Sequence, residues 1–138
     1  MGYCTIAEVV HEFTPSLRTS MERDYGEAFE EIITGHITKA NDFVNASLAR
    51  AYSVPLASAS SIVITAESKL AAYYAVAAYS EKEDVLRDKY ETAEKMLDYL
   101  VEANSPGLVD ESLKDEDNSR VSYGSKEQIF TDAELERW

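Results

Sequence analysis

The sequence predicts an all-α fold, a small helical bundle of about four helices, in which long amphipathic helices pack on a central alanine- and tyrosine-rich helix and an extended C-terminal tail follows. Three observations carry this. Apolar residues recur at three- and four-residue steps through most of the first 104 positions, which is the period of one helix face. Helix-start signatures stand just ahead of such runs, at Thr5-Ile6-Ala7-Glu8 and at Ser80 with Glu83. After Leu108 the periodicity stops, and charged residues and serine take over. The chain therefore divides into a helical bundle domain over 1–108 and an acidic, partly disordered docking segment over 109–138.

At Thr5-Ile6-Ala7-Glu8 the hydroxyl and the carboxylate can each satisfy an orphan amide at a helix start. A short helix follows to about Phe13. Thr14-Pro15 stops it, because the residue before proline is pushed out of the α region. Ser16 to Arg23 adds another turn or two, and Asp24-Tyr25-Gly26 breaks the chain. The strongest element runs from about Glu27 to Tyr52. There Phe29, Ile32, Ile33, His36, Ile37, Ala40, Phe43, Val44, Ser47, Leu48 and Ala51 form one stripe, with Glu30, Glu31, Lys39, Asp42 and Arg50 off it. Ser53-Val54-Pro55-Leu56 punctuates the chain.

A third helix spans Ser60 to Tyr79. Ile62, Val63, Ala66, Leu70, Tyr73, Tyr74 and Ala77 make one face, while Ala71, Ala72, Ala75, Val76 and Ala78 leave much of the circumference apolar. A helix apolar nearly all round is surrounded by others, so it belongs at the centre. Ser80 and Glu83 then cap a fourth helix carrying Val85, Leu86, Lys89, Tyr90, Ala93, Met96, Leu97, Leu100 and Val101 on one side. Asn104-Ser105-Pro106-Gly107 ends it, since asparagine and glycine tolerate a left-handed cap and proline cannot continue a helix.

Val109 to Arg120 has no periodicity and is expected to be loosely held. Val121, Tyr123, Ile129 and Phe130 then return with strand-compatible spacing around Gly124, and Thr131-Asp132-Ala133-Glu134 opens a last turn ending in Leu135 and Trp138. A segment with little reason to order alone, yet rich in large apolar side chains, has the character of one that folds on a partner.

Composition narrows the function. At 138 residues and 15.4 kDa the chain is one domain, able to remove roughly two-thirds of its unfolded surface from water without metal or disulfide. Thirteen basic against 26 acidic residues give a net charge of −13. Such a surface repels phosphates and anionic membranes, which argues against sequence-reading of nucleic acid. No apolar run approaches a membrane span, and Met1-Gly2-Tyr3-Cys4 opens no signal-peptide pattern. The single cysteine, Cys4, excludes an internal disulfide and reads as a spectator in a reducing compartment.

Groups that could carry chemistry do not converge in the sequence. Glu8 and His11 have the Glu-x-x-His spacing of di-iron bundles, but those need a second such motif, and Ile33 stands where His36 would require glutamate. His36 lies on the apolar stripe and reads as a core histidine. Asp115, Asp117 and Ser119 imitate the start of a calcium loop, yet Arg120 and Lys126 occupy the positions of its glycine and last glutamate. Glu27, Glu30, Glu31, Glu91, Glu94 and Asp98 are the candidates for a magnesium-dependent, all-α nucleotide pyrophosphohydrolase, but they lie on or beside the polar sides of their helices. No phosphate-binding glycine loop or nucleophile elbow occurs. No enzyme, metal or cofactor is expected.

The order of features resembles a known family. A short capped helix, a long amphipathic helix ending in Ala51-Tyr52-Ser53-Val54-Pro55-Leu56, an alanine-tyrosine helix and a charged amphipathic helix succeed one another. A Ser-Pro-Gly-Leu stop and a tail ending Ile129-Phe130-Thr131-Asp132-Ala133-Glu134-Leu135 complete the series. This layout is similar to that of the small head–tail adaptor (connector, or head-completion) proteins of tailed bacteriophages, especially the group found in Mu-like prophages. The resemblance implies a virion protein at the head–tail junction, assembled in the bacterial cytoplasm. It implies a homo-oligomeric ring of commonly twelve copies under the portal protein, extending the DNA channel and offering a platform to a neck or tail-completion protein. Double-stranded DNA would pass without sequence-specific binding, and no membrane is involved. Docking to portal or neighbour would fall to Val121, Tyr123, Ile129, Phe130, Leu135 and Trp138. An acidic channel wall would let duplex slide. The other readings are a free-standing helical interaction module, antitoxin-like or regulatory, and the pyrophosphohydrolase. A chain cut after Pro106 is expected to stay folded without assembling.

Overall fold

The computed structural model describes residues 2–80 and 87–113. It is an all-α bundle with no strand among the described residues. The helices are α1 (Ile6–Val10), α2 (Pro15–Tyr25), α3 (Phe29–Leu48), α4 (Ser61–Ser80), α5 (Arg87–Ala103) and the single turn α6 (Pro106–Val109).

The local signals act largely as read. Thr5 and Glu8 form the capping box at α1. Thr14-Pro15 does more than stop a helix: the Thr14 side chain accepts from the Leu17 amide and Pro15 takes the first position of α2. Proline has no amide hydrogen to leave unsatisfied there. The turn or two expected over 16–23 is thus an eleven-residue helix. Gly26 closes it with φ 60°, and a 3-10 turn over Gly26–Ala28 leads straight into α3. At the end of α5, Asn104 takes the left-handed cap with φ 49°, whereas Gly107 lies inside α6. Glu83, Val85, Leu86, the calcium-loop imitation and the final turn at 131–134 lie outside the described residues.

Helix α4 is central. It packs against α1, α3, α5 and α6, and Val63, Leu70, Ala71, Ala72, Ala75 and Val76 are shut off from water. From α3 come Phe29, Ile33, Ile37, Ala40, Val44 and Leu48, from α5 Ala93, Leu97 and Leu100, and from α1 Val9 and Val10. The pairs Lys39–Tyr74 and Asn41–Glu67 set α4 antiparallel to α3. Phe43–Tyr90 and Arg50–Asp98 set α5 parallel to α3.

The segment between α3 and α4 is fastened at both ends. Tyr52 Oη donates to the Leu100 carbonyl and accepts from the Ser105 amide. The Asp110 carboxylate accepts from the amides of Ala57 (2.9 Å) and Ser58 (3.2 Å). Ser60 N donates to Val109 O, and Glu111 N to Ser58 O at 2.7 Å. Val109 and Asp110 are buried and a 3-10 turn over Glu111–Leu113 follows. The expectation that the chain loosens from Val109 onward is therefore corrected for 109–113: hydrogen bonding of Asp110 across to the loop at 57–58 holds them where no helical periodicity announces it.

Truncation at two points tests this. A chain ending at Leu113 is expected to keep a cooperative helical melt. One ending at Pro106 loses the burial of Val109, about 1.5–3 kcal/mol, and the Asp110 anchor. Its melting temperature is expected to fall below that of the Leu113 chain by on the order of 10–20 °C in a circular-dichroism melt.

Candidate functional site

The polar interior is built around Glu67, on the face of α4 that meets α3 and the N-terminal segment. Its side chain is fully buried. Oε2 accepts from the backbone amides of Tyr3 (2.6 Å) and Cys4 (2.8 Å), and Oε1 from Asn41 Nδ2 (2.9 Å). Asn41 Oδ1 accepts from Asn45 Nδ2 at 3.1 Å, and Asn45 Oδ1 accepts from Tyr3 Oη at 2.5 Å. The ring thus closes on Tyr3, whose hydroxyl also accepts from the Leu56 amide. Gly2 is required beside it, because a Cβ there would overlap Ile37 Cγ2 and Glu67 Oε2. Burial, followed by the neighbouring Glu67 charge, pushes the Cys4 thiol up to about 12. Cys4 is therefore a neutral thiol, inert as a nucleophile.

A second buried group lies where the end of α1 meets α4 and α5. Glu12 Oε1 receives Lys89 Nζ at 2.7 Å and Lys69 Nζ at 3.3 Å, with all three side chains mostly covered. Burial alone would raise the Glu12 pKa. The hydrogen bond from Lys89 and the charges of both lysines outweigh it, so the carboxyl lies below the ordinary glutamate value.

Along one side of the bundle Phe43, Tyr73, Tyr74 and Tyr90 meet half-buried. The Tyr73 and Tyr90 rings are 4.8 Å apart and Lys39 Nζ sits 4.4 Å from the Tyr74 centroid. Grooves flank α1. One of about 350 Å³ runs between its start and α3, lined by Cys4, Ile6, Ala7, Thr34, Ile37 and Thr38. Another of about 490 Å³ is bordered by Ile6, Val10, His11, Arg18 and Glu30.

The acidic candidates do not come together. Glu30 and Glu31 are exposed in the first turn of α3, where their negative charge complements the positive end of the helix dipole. Glu94 lines a shallow groove with Phe43 and Ser47, about 20 Å further along α3 at 1.5 Å per residue. Glu91 is exposed, and Asp98 pairs with Arg50 at 3.3 Å. No group of three His, Cys, Asp or Glu side chains is placed to hold a metal among the described residues. His11 is exposed and His36 only half-buried rather than a core residue, its pKa lowered by burial and then by Lys39. The docking residues Val121, Tyr123, Ile129, Phe130, Leu135 and Trp138 lie outside the described residues.

Sequence reasoning passed over Glu67, Glu12 and Lys69. A signal was present for two of them. Glu67 and Lys69 are the only charged residues in α4, and a charge on a helix enclosed on all sides must find a buried partner.

The fold and its interior define a small all-α bundle braced by buried polar groups, with no helix long and apolar enough to cross a membrane among the described residues. Residues 3–122 match the profile of the family described as Bacteriophage Mu, Gp36, and the chain belongs to that family. It is a Mu-like phage protein of virion structure or morphogenesis. No curated protein and no solved structure matches it.

Two substitutions test the interior. Glu67→Ala strands two backbone amides and the Asn41 amide, and is expected to cost at least about 3 kcal/mol in denaturant unfolding; Glu67→Gln, which keeps an acceptor, costs less. A loss under about 1 kcal/mol for Glu67→Ala would show that Glu67 does not brace the N-terminal segment. For Glu12 the sign follows from its lowered pKa: its contribution is present above the unfolded value near 4.5 and fades as pH falls through the lower folded one. The wild-type protein is therefore expected to outlast Glu12→Gln in thermal melts at pH 7, with the gap closing below about pH 4.5.

Proposed function

We propose that the protein is a head–tail adaptor, a subunit of a ring that sits under the portal, extends the DNA channel and presents a platform to a neck or tail-completion protein. The observation that carries this is membership of the phage Mu family across residues 3–122, a span that includes all but the first residue of the described bundle. The helix order resembling adaptors of Mu-like prophages supports it.

The physical character of the chain fits the role. A closed ring needs two different faces on each subunit, and a bundle held by buried polar ties offers fixed faces. The charge of −13 leaves a wall that duplex DNA does not adhere to. The reading gives no residue a catalytic part and requires no cofactor. Docking to portal or neighbour falls to the apolar residues of the tail, from Val121 to Trp138.

The test is co-sedimentation with the portal ring, using the full chain and a chain ending at Leu113, which keeps Val109 and Asp110 in place. Stoichiometric binding by the full chain and none by the shorter one is the expected result. If neither binds at micromolar concentration, the adaptor reading fails.

A further inference from the structure

We propose that the groove between the start of α1 and α3 is a docking site for this chain's own tail, with Ile129 and Phe130 as the occupants. The inference bears on the adaptor reading, because Ile129 and Phe130 must leave this groove before they can meet the portal or a neighbour.

The walls of the groove are apolar by construction. Gly2, Cys4, Ile6, Ala7 and Ile37 line it together with three threonines, Thr5, Thr34 and Thr38. The Thr34 and Thr38 hydroxyls donate to the Glu30 and Thr34 carbonyls of their own helix, and the Thr5 hydroxyl is engaged with Glu8 in the capping box. With those hydroxyls engaged, the threonines act there as small apolar side chains. An open apolar surface of this kind gains from being covered. A cavity of about 150 Å³ suffices for a benzene ring, so about 350 Å³ takes a phenyl group and an aliphatic neighbour. Ile129-Phe130 is the one adjacent pair of large apolar side chains in 114–138.

The place where the described chain ends makes this occupant accessible. Asp110 is bonded to the amides of Ala57 and Ser58, and the neighbouring Leu56 amide is bonded to Tyr3 Oη. Tyr3 lies between Gly2 and Cys4 at the groove. Backbone and side-chain lengths along that path come to on the order of 25 Å, while the connection from Leu113 to Ile129 spans up to about 55 Å when extended. The tail thus reaches its own groove with slack, and tethering replaces a bimolecular encounter by an intramolecular one. The family match ends at residue 122, so it covers the groove but not Ile129 and Phe130.

Disulfide trapping tests the proposal in the full chain with Cys4→Ala. One variant carries Thr38→Cys and Phe130→Cys; a control carries Glu102→Cys and Phe130→Cys, Glu102 being exposed at the end of α5. Under mild oxidation at low micromolar concentration, the Thr38 pair is expected to close within one chain at least tenfold faster than the control. Equal rates would overturn the proposal, as would a predominantly interchain product, which would give the groove to a second copy. As an independent readout that leaves the bundle unaltered, Phe130→Ser is expected to raise binding of an apolar fluorescent dye several-fold. Unchanged dye binding would mean that the tail does not cover the groove.

Discussion

The bundle depends on how the Glu67 carboxylate is satisfied. A carboxylate inside a helix bundle costs several kcal/mol unless nearly every lone pair is engaged, and here the engagement comes from outside α4. Two donors are consecutive backbone amides of the N-terminal segment and the third is a side chain of α3. Burying α4 and seating residues 2–4 are therefore one event. The start of α1, the Tyr3 hydroxyl and through it the α3–α4 connection all take their positions from that event. The Glu12–Lys69–Lys89 group adds a second fixed point at the other end of α1.

Much of the fold was legible because helix-forming physics is local. The α3 stripe gives one buried line, Phe29, Ile33, Ile37, Ala40, Val44 and Leu48, flanked by the half-buried Ile32, His36 and Phe43. The centrality of α4 followed from its nearly uniform small apolar surface. What escaped was set by partners distant in sequence. Glu67 bonds residues 63 and 64 positions away, and Asp110 bonds residues more than 50 away. A carboxylate in a helix reads as solvated until its donors are known, and an aspartate after a Pro-Gly turn reads as tail. His36 was drawn too deep for a similar reason: on a stripe this wide, the outermost positions meet water.

The acidic candidates show the converse. Glu30 and Glu94 are both candidates by sequence, yet the parallel arrangement of α3 and α5 places Glu94 beside Phe43 and Ser47, turns away from Glu30. Most of the acidic side chains among the described residues are exposed, and the charged groups that reach the interior are matched, Glu12 by Lys69 and Lys89 and Glu67 by backbone amides and Asn41. A strongly acidic exterior makes copies of the molecule repel one another.

The seating of residues 2–4 has a practical corollary. The sole sulfur of the chain other than its methionines belongs to that segment, 7% exposed and with its thiol pushed up to about 12. Alkylation of Cys4 near neutral pH requires the segment to lift, so the pace of alkylation is a clock for that lifting. The molecule carries a built-in gauge of how often its N-terminal end lets go, readable without any added probe in its sequence.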